Sequence, residues 1–339
     1  MKIWFPTIRG GSGSDVYTLR LAEALQRRGI ETEITWYHTY YQFAPFLLKA
    51  TPEPPGTDII VANASSGFAF KRLGIPLAVI EYHCVFDPLY RPHKNFAQHV
   101  FHEMLIKHFE VAAFKQASAI IAISAFTAGS LKRVAGIGNA HVIHNWLDTE
   151  KFKPSAASSN ERGRPFKLLF VGNLSRRKGA NLLGPIMEKL GEPFQLNYTA
   201  GLRGSKRYRY PPNMIPLGSL SEEKLIKAYQ NCDALLFPSR FEGFGYAALE
   251  AMACGKPVIV SNSSSLPEVV ENGVTGVLCA DGDVEAFVAA CVRLENDRAL
   301  CRQMGMAGRE HAVKHFSEAV IIPSYLSLFE SLLPSSTAR

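Results

Sequence analysis

Twice along this chain, a short apolar segment leads through a glycine-containing loop into a stretch with helical periodicity, and this repeated order most limits the possible folds. Residues 2–7, KIWFPT, start the first series, and residues 166–172, FKLLFVG, start the second. In the first series, Tyr17, Leu21 and Leu25 follow helical spacing. Strands that alternate with helices form a parallel sheet covered by helices. The sequence therefore predicts an α/β protein with two doubly wound, Rossmann-like halves.

The chain is long enough for two domains of ordinary size. Its 339 residues exceed what one hydrophobic core usually supports. Residues 153–164 have the composition of a linker. We therefore predict an N-terminal domain over 1–152 and a C-terminal domain over 165–315. The last helix, from about 316 to 333, is predicted to cross back to the first domain.

The composition argues against membrane-spanning, secreted and disulfide-stabilised proteins. No apolar run approaches the roughly 20 residues that cross a bilayer. The N-terminal residues lack the apolar stretch and cleavage site of a signal peptide. The six cysteines include no C-x-x-C pair, which argues against both a disulfide framework and a zinc site. We expect a cytoplasmic protein with reduced thiols.

Positive charge is concentrated in one part of the chain. The net charge is +7, and residues 151–211 carry 13 lysine or arginine residues against three glutamates. The ordinary interpretation is a solvated basic surface, and the alternative is a site for nucleic acid, anionic lipid or a nucleotide diphosphate. The loop 201–210, GLRGSKRYRY, interleaves tyrosines with basic residues as nucleic-acid surfaces do. A nucleic-acid partner is nevertheless not expected.

The segment 241–250, FEGFGYAALE, contains the first candidate site. It follows the strand-like DALLFPS and opens a helix that ends near Gly255. Gly243 and Gly245 flank the helix start, where the N–H group of Phe244 and its neighbours and the positive end of the helix dipole favour a phosphate. A plain turn is the alternative interpretation.

Two glutamates border this segment. If the eight steps from Glu242 to Glu250 were helical, the residues would lie roughly 12 Å apart along the axis. A retaining glycosidase needs its two carboxylates roughly 5 Å apart. A hydrolytic pair is therefore disfavoured. We predict that the two carboxylates accept hydrogen bonds from hydroxyls at the two ends of an extended ligand, such as the vicinal hydroxyls of a ribose.

A basic loop follows the first strand of the second half. In residues 171–179, VGNLSRRKG, the side chains of Arg176, Arg177 and Lys178 can bring cations to a phosphate at that helix start. A basic loop alone is more often solvated than functional. Beside an anion-binding helix start, the functional interpretation gains weight.

The N-terminal loop RGGSGSD, residues 9–15, resembles a dinucleotide-binding fingerprint but lacks its third glycine, because Val16 stands in that place. A nicotinamide cofactor is therefore not expected. The glycines, among them Gly10 and Gly11, still allow a ligand to approach the backbone closely.

Histidines and acidic pairs provide few further candidates. His83, in EYHC, lies just beyond a strand, where a parallel sheet places functional residues, although a lone histidine is usually structural. Asp281 and Asp283 resemble a metal-binding pair, but Asp283 directly precedes a helix and N-capping explains it better. We expect no metal site.

The stretch 91–116 is rich in aromatic, histidine and basic residues. His99, His102 and His108 form no H-E-x-x-H motif and are interpreted as parts of one amphipathic helix. Such a helix could make peripheral contact with a membrane surface. A helix packed on the protein is the favoured interpretation.

Taken together, these motifs resemble a known family. Residues 239–278 contain E-G-F-G-x-x-x-L-E, A-C-G-x-P-V-I and P-E-V-V in this order, with VGNL and RKG upstream and GGSGSD near the N-terminus. This combination resembles the retaining nucleotide-sugar glycosyltransferases of family 4 over nearly the whole chain. The resemblance implies the GT-B fold, in which two Rossmann-like domains face each other across a cleft.

The resemblance also implies roles for residues of the second half. Its domain would bind the nucleotide-sugar donor, and the N-terminal domain would take the acceptor. Glu250 would bind the ribose hydroxyls, Glu242 would lie near the donor sugar, and Lys178 would stabilise the departing phosphate. The amides of Phe244 and Gly245 would bind the diphosphate or the sugar.

The remaining roles implied by the resemblance concern both halves. His83 would lie near the sugar, and Gly11 with its neighbour Gly10 would line the facing wall. Glu242, Lys178 and His83 are the predicted catalytic residues. The predicted donor-binding residues are Glu250, Phe244, Gly245, Gly243, Arg177, Asn173, Gly11 and Gly10.

The sequence departs from the family pattern at several positions. Asn173 stands where many members have arginine, so Arg176 or Arg177 would have to replace that cation. Trp146, Ser264 and Ser265 stand where glycines are usual. These departures concern the geometry of loops.

The family resemblance implies transfer of a hexose-type sugar with retained configuration, without metal or cofactor. Its acceptor would be a glycan or lipid-linked sugar of bacterial surface polysaccharide or lipopolysaccharide synthesis. A nucleotide-sugar epimerase or hydrolase with the same fold and a non-catalytic sugar-binding module are the alternatives. The base and the sugar of the donor stay open.

Overall fold

The computed structural model describes residues 1–11, 13–155, 163–199 and 210–334. The described chain forms two compact units. The first is Met1–His144 together with the C-terminal segment from Ala319, and the second is Asn145–Glu318. The predicted boundary after residue 152 lies slightly further along the chain than this division.

The first unit is built on a parallel sheet of six strands in its described residues, in the order β2-β1-β3-β4-β5-β6. The strands are β1 (Lys2–Ile8), β2 (Glu31–Tyr37), β3 (Ile59–Asn63), β4 (Leu77–Glu81), β5 (Ala119–Ala122) and β6 (His141–Val142). The side chains of Trp4, Ile60 and Val79 are buried in one hydrophobic core. Strands of this kind read as continuous apolar runs because helices and loops cover both faces of the sheet.

In the described residues, four α-helices of this unit precede the second unit in the chain. They are α1 (Gly13–Gln26), α2 (Phe96–Phe101), α3 (Lys107–Gln116) and α4 (Ala125–Ala135). Asn95 begins α2 with a capping box, and a π-helical turn, His102–Ile106, joins α2 to α3. Burial within this helical stretch starts at Ile106. The residues from 91 to 105 are exposed or half-buried, and the interpretation of 91–116 as a helix packed on the protein stays a prediction.

The second unit also has a parallel sheet, and its described strands follow the order β12-β11-β10-β7-β8-β9. They are β7 (Phe166–Phe170), β8 (Phe194–Thr199), β9 (Met214–Gly218), β10 (Ala234–Phe237), β11 (Val258–Ser261) and β12 (Gly276–Cys279). The strands β7, β10 and β11 at the centre are almost entirely buried. Two doubly wound parallel sheets were predicted from the sequence, and this prediction is confirmed.

Several helices of the second unit begin at a polar N-cap residue. They are α5 (Ala180–Leu190), α6 (Glu222–Asn231), α7 (Tyr246–Ala253), α8 (Leu266–Val269), α9 (Val284–Asn296) and α10 (Arg298–Phe316). The carboxylate of Asp283 accepts a hydrogen bond from the N–H group of Ala286 at the start of α9. The prediction that Asp283 is an N-cap is confirmed.

The last helix, α11 (Glu318–Leu332), belongs almost entirely to the first unit. Within that unit, the hydroxyl of its Tyr325 forms a hydrogen bond with the hydroxyl of Tyr17 on α1, and both side chains are buried. No helix in the described ranges is both long enough and apolar enough to cross a bilayer.

Several predicted features lie partly or wholly outside the described residues. The linker 153–164 is described only at its ends, and the basic loop 201–210 only at Tyr210. All six cysteines are described, and each is a buried free thiol. The prediction of reduced thiols agrees with this finding.

Candidate active site

Two loops of the second unit meet because their strands are neighbours. β7 and β10 pair in parallel, so their carboxyl ends lie at the same edge of the sheet. Residues 171–179 follow β7, and residues 238–245 follow β10. The backbone N–H group of Arg240 donates to the carbonyl oxygen of Arg177 at 2.8 Å, which ties one loop to the other.

Gly179 allows this close approach. Its φ angle is 72°, and a Cβ atom at this position would lie 1.9 Å from the carbonyl oxygen of Pro238. No residue other than glycine fits there without moving the backbone. The glycine that follows Arg176, Arg177 and Lys178 thus sets the distance between the two loops.

Glu242 lies buried between the loops and is bound to a lysine. The residue is 7% exposed, and its Oε1 accepts a hydrogen bond from Nζ of Lys178 at 2.6 Å. The hydroxyl of Ser239 donates to the same oxygen. A guanidinium nitrogen of Arg177 lies 3.8 Å from it. Two cations and one carboxylate are therefore held together at the carboxyl edge of the sheet.

Burial and charge act in opposite directions on the pKa of Glu242. Burial alone would raise this pKa, but the charges of Lys178 and Arg177 and the hydrogen bonds from Lys178 and Ser239 hold it below its usual value. Burial lowers the pKa of Lys178, against the attraction of Glu242, and the charge of Arg177 lowers it further. Cations removed from water in this way attract an anion more strongly than solvated ones do.

The helix α7 starts beside this cluster without a side-chain cap. Its N-cap residue is Gly245, with a φ angle of 108°. The first N–H groups of a helix have no acceptor within the helix, and the positive end of the dipole lies there. The predicted helix start after Gly245 is confirmed. Its use as an anion site stays a prediction.

The side chain of Phe244 is turned into the protein. Its ring packs against the rings of Phe316 and Tyr246, with centroid distances of 5.6 and 5.8 Å. Gly243, just before it, is only partly buried. A ligand at this loop would therefore meet the backbone of residues 243–245 and not the phenyl ring.

Glu250 is buried on α7 and is bound by a tyrosine that the sequence interpretation missed. The hydroxyl of Tyr229, on α6, donates to Oε2 of Glu250 at 2.8 Å, and Tyr229 is fully buried. The ring of Phe152 packs on Tyr229. Nothing in the local sequence around Tyr229 distinguishes it from an ordinary core residue of an amphipathic helix.

The loop after β11 supplies further partners that were not predicted. β11 is the other neighbour of β10, so this loop also lies at the carboxyl edge of the sheet. The hydroxyl of Ser264 accepts from the N–H group of Glu242 at 2.9 Å, and the hydroxyl of Ser265 donates to the carbonyl oxygen of Glu242 at 3.1 Å. The sequence signal was the replacement of two glycines of the family pattern by serines.

The two arginines considered as substitutes at position 173 behave differently. The side chains of Asn173 and Arg176 are exposed. Arg177 is partly buried, and its guanidinium group donates to the carbonyl oxygen of Phe241 at 2.6 Å while lying near Glu242. The geometry thus favours Arg177 as the second cation of the cluster.

His83 belongs to the first unit and follows β4. Its backbone N–H group donates to the carboxylate of Glu81 at 2.9 Å, and its ring contacts that of Tyr90 at a centroid distance of 5.7 Å. The prediction that His83 lies just beyond a strand end is confirmed. Its catalytic role stays a prediction.

In the first unit, the N–H groups of the predicted glycine loop are already bonded to a side chain of the following helix. The backbone N–H groups of Gly10 and Gly11 donate to the carboxylate of Asp15, in the first turn of α1, at 2.9 to 3.2 Å. Both glycines are exposed. A ligand that bound these N–H groups would have to compete with Asp15.

Two buried carboxyl groups lie beneath the His83 loop. Glu81 ends β4 and Glu110 lies on α3, and both are almost completely buried. Burial raises the pKa of Glu81 to about 7. Burial also raises the pKa of Glu110 well above its usual value, and the charge of Glu81 raises it further. The Oε2 atom of each has no hydrogen-bond partner among the described residues.

Two family models match the chain. The model described as glycosyl transferases group 1 matches residues 151–311, and the model described as glycosyltransferase family 4 matches residues 35–151. The first covers the loops around Glu242 and Lys178. The second covers β3 to β6 and His83.

Curated relatives match the chain over part of their length. A glycogen synthase of Mycobacterium tuberculosis is 30% identical over 216 residues, which is 60% of this chain and 51% of that protein. A sulfoquinovosyl transferase of Arabidopsis thaliana is 28% identical over 310 residues, which is 81% of this chain and 58% of that protein. The chain thus spans about half the length of the curated relatives it matches.

Solved structures resemble the chain over nearly all of its length. Sucrose-phosphate synthase from Thermosynechococcus elongatus has a TM-score of 0.85 at 22% identity, covering 98% of this chain and 99% of that one. HepE of Anabaena, solved in complex with UDP-glucose, has a TM-score of 0.76 at 20% identity, covering 98% of this chain and 100% of that one. At these identities, the similarity concerns the fold.

Proposed function

Because the chain belongs to the group 1 glycosyltransferases and has the GT-B fold, we propose that it transfers a hexose-type sugar from a nucleotide-diphosphate sugar to a glycan or lipid-linked acceptor. We propose that the transfer retains the sugar's configuration, needs no metal or cofactor, and serves the synthesis of bacterial surface polysaccharide or lipopolysaccharide. The observation that carries the proposal is the buried contact of Lys178 with Glu242, beside Arg177 and the start of α7.

The donor's diphosphate would bind at the start of α7. Lys178 supplies a buried cation and Arg177 a partly buried one, and the first N–H groups of α7 supply donors. Charge that develops on the departing phosphate is stabilised most by groups already fixed in a water-poor site. Such groups can do what a metal ion does in other transferases, so the cluster supports a reaction that is independent of metal.

The two glutamates would hold the two ends of the donor. Glu250, fixed by the hydroxyl of Tyr229, would accept hydrogen bonds from the ribose hydroxyls. Glu242, ionised and bound to Lys178, would accept hydrogen bonds from hydroxyls of the sugar. Both carboxylates thus serve as hydroxyl acceptors rather than as a hydrolytic pair.

The other candidate residues have less support. The backbone of residues 243–245 would bind the diphosphate or the sugar, and the exposed Asn173 would contact the donor without contributing charge. His83 would lie near the transferred sugar, as the family resemblance implies. Gly10 and Gly11 would line the acceptor side, with their N–H groups held by Asp15.

Donor binding can be measured before any acceptor is known. A ligand that binds only the folded state raises the melting temperature, so we expect one of UDP, GDP, ADP and dTDP to do so. K178M should reduce this increase by removing a buried cation from the phosphate site. K189M is the matched control, because Lys189 is an exposed lysine paired with Glu285. Equal shifts in K178M and in the wild type would contradict the proposed phosphate site.

The stereochemistry of the transfer is determined from the product. NMR of the purified glycoside is expected to show the anomeric configuration of the donor, and EDTA is expected to leave the rate unchanged. An inverted product would contradict retention. Consumption of the donor in the absence of any acceptor, with free or epimerised sugar as the product, would instead indicate a hydrolase or an epimerase.

An exposed set of large apolar side chains, in two segments of the first unit, supports peripheral membrane contact by the same enzyme. We call it the aromatic face, and its residues are Tyr40, Phe43, Phe46, Leu47, Phe96 and Met104. Phe96 is 82% exposed and Met104 is 65% exposed. The rings of Phe43 and Phe101 lie 5.4 Å apart, which joins the segment around Phe43 to α2.

The charges around the aromatic face favour an anionic lipid surface as its occupant. Lys49 lies in the same segment as Phe46, and Arg91 and Lys94 precede α2. Aromatic side chains with basic neighbours bind at the headgroup level of anionic membranes. We expect the protein to sediment with vesicles that contain phosphatidylglycerol and much less with pure phosphatidylcholine vesicles.

A double variant tests this surface. F46S/F96S should weaken binding to the anionic vesicles at least about tenfold, because two large apolar side chains no longer leave water. L73S is the matched control, since Leu73 is a fully exposed apolar residue of the same unit but is not part of the aromatic face. Unchanged binding of F46S/F96S would contradict the assignment of the surface.

A further inference from the structure

Glu242 is held at its backbone as well as at its carboxylate. Its N–H group donates to the hydroxyl of Ser264, and its carbonyl oxygen accepts from the hydroxyl of Ser265. Both polar backbone atoms of the residue that binds Lys178 are therefore fixed by consecutive serines of another loop.

A third serine reaches the same residue by a second route. The hydroxyl of Ser263 donates to the carbonyl oxygen of Ser239 at 3.1 Å. The hydroxyl of Ser239 in turn donates to the carboxylate of Glu242. The loop after β11 is thus connected to Glu242 at its backbone directly and at its carboxylate through Ser239.

Ser264 adopts a backbone conformation that serine rarely takes. Its φ angle is 51°, and among the residues that the structure describes it is the only one other than glycine with a positive φ angle. This left-handed region costs an L-residue free energy that glycine does not lose. The cost is of the same order as the gain from one hydrogen bond between neutral groups. Stability alone therefore gives no reason for serine instead of glycine.

Strained residues of this kind concentrate at functional sites, where the surrounding structure holds them. Leu266, two residues after Ser264, lies so close to the start of α7 that a Cβ atom on Gly245 would be 2.8 Å from its Cδ2. The strained serine therefore lies in a loop packed directly against the predicted diphosphate site.

We propose that Ser264 and Ser265 are positioning residues of the transfer reaction, which hold the backbone of Glu242 so that its carboxylate stays in contact with Lys178. The inference rests on the proposed function, because it assigns these serines an effect on turnover. It also has a consequence for the donor. Since Ser264 occupies the N–H group of Glu242, the donor binds the amides that follow this residue in the loop.

Two variants of Ser264 separate an effect on the position of Glu242 from an effect on the stability of the protein. S264G removes the hydroxyl and relieves the left-handed strain, so its melting temperature should equal or exceed that of the wild type. S264A removes the hydroxyl and keeps the strain, so its melting temperature should fall. Both variants should lose about tenfold in kcat, because small displacements of a reacting group have large effects on rate. The donor KM should change little.

A double variant tests whether Ser264 acts through Glu242. If it does, S264G should cause no further loss of kcat in an E242Q background, since the residue that it positions no longer functions. An independent loss in the double variant would overturn the inference. Full kcat in S264G, with an active wild type, would overturn it as well.

The outcome is distinguishable from failure of the proposed function. If the wild-type protein transfers sugar from no nucleotide-diphosphate donor, the proposed function is wrong and the inference falls with it. If the wild type is active and S264G is equally active, only the inference is wrong. A lower melting temperature of S264G accompanied by a proportional loss of folded protein would indicate a purely structural role and would also overturn the inference.

Discussion

At the scale of single residues, the candidate site depends on polar groups that are buried in pairs. Glu250 and Tyr229 are such a pair on α7 and α6, with an oxygen-to-oxygen distance of 2.8 Å. A buried carboxylate that loses a donor keeps its cost of leaving water without the compensating bond. The hydroxyl of Tyr229 therefore contributes both to stability and to the orientation of Glu250.

The variant Y229F tests this pair. We expect it to lower the free energy of unfolding by about 1 to 3 kcal/mol, the cost of leaving a buried acceptor without its donor. If Glu250 binds the ribose, donor KM should rise while kcat changes little, because that contact is made equally in the ground and transition states. Denaturant unfolding and steady-state kinetics measure the two effects.

Y210F is the control for Y229F. The hydroxyl of Tyr210 donates to the backbone carbonyl oxygen of Ala180 at 3.4 Å, a long bond to a neutral group. Its loss should have a much smaller effect on stability. Equal effects of the two variants would show that the bond from Tyr229 to Glu250 has no special weight.

The sequence predicted those site residues whose signal is local. Glu242, Gly245 and Glu250 lie within ten residues of one another, and glycines, carboxylates and a helix start are recognisable there without any tertiary information. Tyr229 and Ser264 contact the same segment from 21 and 22 residues away. Their contribution depends on strand order, which no local pattern encodes.

At the scale of elements, the site depends on how closely two loops at one sheet edge can approach. Gly179 adjoins Lys178 and begins α5 with a φ angle of 72° and a ψ angle of 17°. Because Gly179 has no side chain, the carbonyl oxygen of Pro238 can lie against its Cα atom. The position of Lys178 relative to Glu242 therefore depends on the absence of a side chain at the next residue.

The variant G179A should be strongly destabilising. Alanine in the left-handed region costs about 1 to 2 kcal/mol, and the clash with Pro238 adds to that cost because its carbonyl oxygen belongs to the backbone. We also expect weaker binding of the nucleotide diphosphate, since the loop that carries Lys178 must move. Thermal unfolding and nucleotide titration measure the two effects.

G136A provides a close match for G179A. Gly136 ends α4 with a φ angle of 69° and a ψ angle of 16°, and a Cβ atom there would have no heavy atom within 4 Å. It carries the left-handed cost without the clash. Destabilisation of the same size in both variants would show that the contact with Pro238 is unimportant.

Two strands, β6 and β9, have little apolar pattern in their sequence, and the sequence interpretation did not predict them. β6 has only two residues, His141 and Val142, both exposed. β9 contains Pro216, which edge strands tolerate and central strands do not. Both are edge strands of their sheets. The central strands were predictable because helices bury them on both faces and leave apolar runs in the sequence.

At the scale of the whole molecule, each unit contains buried carboxyls, and their contributions to stability are expected to change with pH in opposite directions. The pKa of Glu242 in the second unit is held low, so its contribution to stability is present above its unfolded value of 4.5 and is lost as the pH falls. The carboxyls of Glu81 and Glu110 in the first unit have raised pKa values. Their folded state binds more protons than the unfolded state, so stability falls as the pH rises above 4.5.

The size of this effect follows from Glu81. Its pKa rises from 4.5 to about 7 on folding, which corresponds to about 3 kcal/mol at about 1.4 kcal/mol per pKa unit. Among the neighbouring titratable groups, Cys84 interacts with both carboxyls, and the charge of Lys94 partly offsets the shift in the pKa of Glu110. The contribution of these two carboxyls to the stability of the first unit should therefore be largest below pH 4.5 and decrease up to about pH 7.

The variant E110Q tests this dependence. Glutamine stays neutral at every pH and also removes the charge that interacts with Glu81, so the variant should gain stability relative to the wild type as the pH is raised from 5 to 8. Trp4 and Trp36 belong to the first unit and Trp146 to the second, so fluorescence in a W146F background follows the first unit. E23Q, at an exposed position of α1, should show no such trend. A difference between E110Q and the wild type that stays constant from pH 5 to 8 would mean that the buried pair does not take up a proton on folding.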